Sequence, residues 1–165
     1  FTAIQRLRAI YPYLAGQLAS ADIPLYAQHI DQMNLQTLLQ LFRADKNSCL
    51  IGTDAVRDGI DVPGQALRMI LYDRVPWPRP DMLFKARAKW IGKNELTDRL
   101  TRMKLRQAFG RLIRRADDKG IFVMLDSRLP TRLTSAFPSD VTIERLPLAD
   151  ALFQVRDFLG RQDEL

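Results

Sequence analysis

Short apolar runs interleaved with amphipathic helical patterns predict an α/β domain: a parallel sheet flanked by helices. The runs "SCLI" and "GIFVML" lack polar alternation, as strands buried on both faces do. The segments around them place apolar residues three and four apart, as in "NLQTLLQLFRAD" with Leu35, Leu38, Leu39 and Phe42. With 165 residues, 47% hydrophobic and 27% charged, the chain is long and apolar enough for one real core, and general disorder is excluded.

The elements follow in order. "FT" ends a strand, and Thr2 with Gln5 forms a capping box for a helix through "IQRLRAIYPYLAGQL", which Pro12 kinks or splits. "PLYAQ" (Pro24 to Gln28) is a short strand, "NLQTLLQLFRAD" a helix, and "SCLIGT" a strand stopping at Gly52 and Thr53. "ALRMILYDRV" is the next strand, closed by the rigid turn "PWPRP". Helices are expected over Met82 to Trp90 and Glu95 to Arg115, a strand over "GIFVMLD", another over "VTIERL", and a closing helix over "LADALFQVRDFL". The interval 74–104 breaks the alternation and reads as an inserted helical element. No internal repeat or low-complexity tract is present.

No run of 18 apolar residues occurs, so no membrane span is expected. The single Cys49 makes no internal disulfide, suits a reducing compartment, and reads as core. His29 has no Cys or carboxylate at metal-ligand spacing, and no metal site is expected. Phe1 looks like the end of a strand cut in the middle, so the sequence reads as a piece of a longer protein. The terminal "QDEL" reads as coincidence, since no signal peptide precedes it.

Net charge is +6. Between Arg68 and Arg115, fourteen Lys/Arg face four Asp/Glu (Asp73, Asp81, Glu95, Asp98). That clustering suits a polyanionic partner, and equally a well-solvated surface. In folds of this class ligands sit at the carboxyl ends of strands, where "GTDAVRDGIDVPG" falls. It shows no helical period and exceeds what a simple connection needs, so a functional loop is favoured over a long linker.

"LRQAFGRLIRR" is the most informative stretch. At about 100° per residue, with Gln107 at zero, Arg114 lies about 20° to one side, Arg111 about 40° to the other, and Gly110 within about 60°. Leu105, Phe109 and Leu112 fall roughly opposite. Two arginines a turn apart repel unless an anion comes between them. Gly110 costs about 1 kcal/mol against Ala inside a helix, yet it clears room for a phosphate. A solvated basic face explains the charges but not the glycine.

"QAFGRLIRR" resembles the Q-x-x-G-R-x-x-R motif of superfamily two helicases, and "GTDAVRDGIDVPG" resembles the preceding motif of the same proteins. With "LYDRVPWPRPD" and the later "LDSR", the match from about Leu50 to Arg128 is similar to the XPD/DinG branch of DNA helicases, and "FTA" is a weaker echo of an earlier motif. Asp58 stands where many relatives carry Glu, keeping the acid with a shorter reach.

The resemblance implies a RecA-like fold, of the phosphate-binding-loop NTPase type. It implies that 1–165 is the second RecA-like, C-terminal lobe of an ATP-dependent DNA helicase acting in DNA repair. ATP and Mg would be held mainly by a first, N-terminal RecA-like domain of the same chain. No G-x-x-x-x-G-K-[ST] is present here ("GKNE" at Gly92 lacks the spacing and the hydroxyl), so this lobe alone is expected to be inactive. By motif position, Arg111 and Arg114 resemble arginine fingers with Gln107 beside them. Gly59, Asp61 and Gly110 resemble nucleotide-contacting positions. Thr53, Thr2 and Arg57 resemble contacts to single-stranded DNA, and Trp77 or Trp90 offers a stacking platform or ordinary packing. A cytoplasmic protein working on DNA, not at a membrane, is implied, and one cysteine says nothing of an iron–sulfur cluster. The rival readings are a nucleic-acid binding module without motor activity, and a nuclease using Asp54, Asp58 and Asp61 as metal ligands.

Overall fold

A computed structural model describes residues 1–59, 62, 66–114 and 118–163. The order of elements is α1 (Ile4–Ser20), β1 (Leu25–Ala27), α2 (Leu35–Ala44), β2 (Cys49–Ile51), α3 (Asp54–Gly59), β3 (Met69–Tyr72), α4 (Met82–Ile91), α5 (Lys93–Leu112), β4 (Ile121–Met124), a 3-10 helix (Thr131–Ala136) and α6 (Leu148–Asp163). The strands pair in parallel, β1 with β2 and β3 with β4. Parallel neighbours need crossover connections, which α2 supplies for the first pair and α4 with α5 for the second. The α/β class with parallel strands and flanking helices is as the sequence predicts.

Phe1 and Thr2 lie between the carboxyl ends of the two ribbons. The amino group of Phe1 donates to the carbonyl of Gly52, just after β2, at 2.7 Å. The backbone N–H of Thr2 donates to Asp73 Oδ1, just after β3, at 2.9 Å. Asp73 is buried and also takes Arg6 Nε at 2.9 Å. This placement replaces the expected capping box. The N-cap of α1 is Ala3, with no side-chain cap, because a carboxylate 71 positions away takes the Thr2 N–H. "FT" itself is not in a strand, and Pro12 sits inside one continuous helix.

Among the described residues, two apolar clusters make the core. Leu39, Phe42, Val62, Leu67 and Leu112 form one, and Val75, Leu105, Leu133 and Ala136 the other, with Phe122 packed against both. Helix α5 joins them, sinking Leu105 at one level and Leu112 two turns later. Phe109 packs edge-on against Phe137, with ring centroids 5.6 Å apart. Local signals begin the helices: Asn34 Oδ1 caps α2 through Thr37 N–H at 2.9 Å, and Asp81 Oδ1 caps α4 through Phe84 N–H at 2.7 Å. Gly92, at φ 91°, turns the chain from α4 into α5, a conformation other residues rarely adopt.

Three further expectations change. The loop "GTDAVRDGIDVPG" contains the short helix α3, hidden because six residues are too few for a period to show. "VTIERL" forms no strand; it is tied down through a side chain instead, Arg145 donating to the carbonyl of Leu129 at 2.7 Å. Helix α5 stops at Leu112 rather than Arg115, since Ile113 is extended at φ −116°, ψ 113°. The interval 74–104 holds the proline-rich turn, α4 and the first half of α5. Among the described residues no helix is long and apolar enough to cross a membrane.

Candidate nucleotide and nucleic-acid site

The carboxyl ends of β2 and β3 open into a cleft of about 460 Å³, lined by Thr2, Thr53, Asp54, Trp77, Arg87 and Lys104 among others. Three of the residues singled out as strand contacts, Thr2, Thr53 and Trp77, thus meet in one place. Trp77 is 39% exposed on its proline mount, enough to offer a ring face. Arg87 and Lys104 add cations from α4 and α5, which sequence reading noted only as part of the basic stretch.

Thr53 is tightly fixed. Its N–H and hydroxyl both donate to Oε1 of the buried Gln28, at 2.8 and 3.1 Å, and His29 Nε2 lies 3.1 Å from its hydroxyl. Gly52 makes this possible, because a Cβ there would collide with Val56 Cγ2 and stand 2.8 Å from Gln28 Oε1. Gln28 was not foreseen. Its signal was a polar residue directly after an apolar strand, at the edge where ligands bind.

Arg57 does not reach the cleft. It turns inward, its side chain only 10% exposed, and bonds Asp54 at 3.1 Å and Asp58 at 2.8 Å. Burial opposes its charge, but the hydrogen bond to Asp58 and the charge of Asp54 outweigh that and raise its pKa. Asp54 also takes Lys104 Nζ at 3.0 Å. Both carboxylates are therefore engaged by cations, and among the described residues no group of three or more His, Cys, Asp or Glu is arranged to hold a metal ion.

Arg111 lies half-buried in the last turn of α5, where the helix dipole favours a cation, and its guanidinium donates to the Asp58 carbonyl at 3.4 Å. The two motifs thus touch, α3 against α5. Gln107 is exposed on α5, and Gly110 is exposed beside it, where an added Cβ would meet nothing within 4 Å. Arg114 departs from the helical projection because α5 has already ended. It is exposed just past the extended Ile113, and its backbone N–H donates to Asp118 Oδ2 at 2.8 Å. Gly59 closes α3, where a Cβ would press to 3.3 Å from Leu39, so packing on α2 accounts for that glycine. Asp61 lies outside the described residues.

The helicase C-terminal domain family matches residues 1–143. The chain is 35% identical over 138 residues to a Mycobacterium tuberculosis protein named ATP-dependent helicase DinG, covering 79% of this chain and 20% of that protein. It is 33% identical over 138 residues to the 3'-5' exonuclease DinG of Bacillus subtilis, covering 79% of this chain and 15% of that one. It is 36% identical over 104 residues to the ATP-dependent DNA helicase YoaA of Escherichia coli, covering 58% of this chain and 16% of the relative. The chain thus spans a fifth or less of the length of these relatives.

Proposed function

The chain belongs to the helicase C-terminal domain family, and on that premise we propose that it is the second motor lobe of an ATP-dependent DNA helicase of the DinG type. In this reading a first lobe of the same polypeptide holds ATP and Mg. Residues 1–165 supply Arg111 and Arg114 to the γ-phosphate, with Gln107 beside them and Asp61 at the ribose. Guanidiniums placed there stabilise the charge that spreads over the transferred phosphoryl group. The cleft between β2 and β3 holds single-stranded DNA, its phosphates met by Thr2, Thr53 and the cleft cations and its bases by Trp77. The named relatives support ATP use and nucleic acid as partner classes. Such a protein works inside the cell, on DNA.

The observation that carries the reading is Gly110. Its place between Gln107 and Arg111 sets it apart from Gly16 and Gly160, whose Cβ sites are equally open, and the fold itself gives no reason for a glycine there. A phosphate brought against that face by a second lobe gives one. The test is Arg114→Ala in the full-length protein. DNA-stimulated ATP hydrolysis should fall by about 10³-fold or more while ATP binding survives. Turnover at the wild-type rate would remove the finger assignment.

A nucleic-acid binding module without a motor would use the same cleft but leave Gly110 unexplained. The nuclease reading, which the name of the Bacillus subtilis relative brings to mind, is disfavoured by the cations already on Asp54 and Asp58.

A further inference from the structure

The cleft and the proposed finger Arg111 are separate places, and one unbroken series of polar contacts joins them. Lys104 Nζ, on the cleft wall, holds Asp54 Oδ2 at 3.0 Å. Asp54 Oδ1 holds Arg57 at 3.1 Å, and Arg57 bonds Asp58 Oδ1 through Nε at 2.9 Å and Nη2 at 2.8 Å. The carbonyl of Asp58 takes the guanidinium of Arg111 at 3.4 Å. All the intermediate members sit on α3, six residues lying along α5 with its first residue beside Lys104 and its fifth beside Arg111.

We propose that Arg57 is a positioning residue that couples occupancy of the cleft to the placement of Arg111, a role that rests on the motor reading above. The chemistry is an exchange of partners. The Lys104 ammonium has Asp54 as its anion, and Asp54 is half-exposed. A strand phosphate entering the cleft competes for that ammonium. Asp54 then leans more fully on Arg57, whose side chain is largely but not wholly buried and is already shared between two carboxylates. Any shift of the guanidinium towards Asp54 draws on its bonds to Asp58, the residue whose carbonyl holds Arg111. Arg57 suits this task because its planar fork engages two acids at once, where a lysine point charge would hold one. The guanidinium itself is largely shielded, while both acids stay open to solvent and so to competition from an incoming anion.

Coupling between two ligands is reciprocal, so it can be read from equilibrium binding alone. The experiment measures the affinity of the full-length protein for a fluorescent oligothymidylate, with and without a non-hydrolysable ATP analogue and Mg. The ratio of the two affinities is the readout, because a general loss of binding cancels from it. In the wild-type protein the ratio should depart from unity by about 5- to 150-fold. Arg57→Gln should bring it within about twofold of unity, and Arg57→Lys should restore part of it. Asp54→Asn, on the exposed side of the series, should also collapse the ratio, and it decides the matter if Arg57→Gln fails to fold. A wild-type ratio of unity, or one untouched by these variants, overturns the proposal while leaving the motor reading in place. Wild-type protein that binds neither ligand removes both.

Discussion

Arg111 and Asp58, 53 positions apart in the chain, meet where the guanidinium of one donates to the backbone carbonyl of the other at 3.4 Å. The contact is to main chain, so it reports the position of α3 rather than the identity of the residue there. Replacing Asp58 by Asn should keep the carbonyl contact while weakening the grip on Arg57. Arg111→Ala should lower DNA-stimulated ATP turnover in the full-length protein by about 10³-fold or more, measured by steady-state phosphate release. A loss under tenfold would place Arg111 outside the reacting charge.

Gly110 separates folding from function. Its Cβ site is empty and its backbone is helical, so Gly110→Ala should stabilise the chain by about 0.5–1 kcal/mol in denaturant unfolding. The same change should depress ATP turnover in the full-length protein. Stabilisation with full activity would mean that no ligand approaches this face.

Lys104→Ala should weaken binding of single strands and lower the slope of log affinity against log salt by about 0.7, the share of one phosphate contact. Titrations at several salt concentrations check this. An unchanged slope would mean that Lys104 serves Asp54 alone.

The core makes a simpler demand. Leu105 is fully buried between the second cluster and the body of α5. Leu105→Ala should cost about 2–5 kcal/mol, read as a lowered denaturant midpoint with little change in slope.

Asp126 gives a pH signature. Hydrogen bonds from the Arg128 side chain, opposed by burial and assisted by the N–H groups of Arg128 and Val75, lower its pKa from 3.8 to about 2. Because the folded value is the lower one, this contribution is whole above about pH 4 and is lost as pH falls towards about 2. Arg128 is 72% exposed, so solvent screens the pair and keeps the effect small. The stability gap between wild type and Asp126→Asn should narrow across that window in acid unfolding curves.

The sequence made local features legible and distant ones not. The apolar stripe of α5 followed from spacing, and Leu105 and Leu112 are buried as that spacing requires. The end of the helix did not follow, because Ile113 leaves helical geometry without a proline or glycine to announce it, and this carries Arg114 off the projected face. The Thr2 cap failed for a related reason: its N–H goes to Asp73, a partner that only the fold brings near. Thr53 and Trp77, singled out by motif and by mount, line the cleft, whereas Gln28, Lys104 and the ion pairs of Arg57 depend on contacts across the fold or within a helix too short to be foreseen.

Lys104 and Arg111 ride on one uninterrupted α-helix, seven positions apart. Seven steps return almost to the same azimuth and advance about 10 Å along the axis. The rod is thus a gauge, fixing in length and in phase the interval between whatever the two cations grip. A single residue inserted between them would swing one cation by about 100° relative to the other, leaving either grip intact alone but the pair out of step. Loops elsewhere can lengthen freely; this spacing cannot drift.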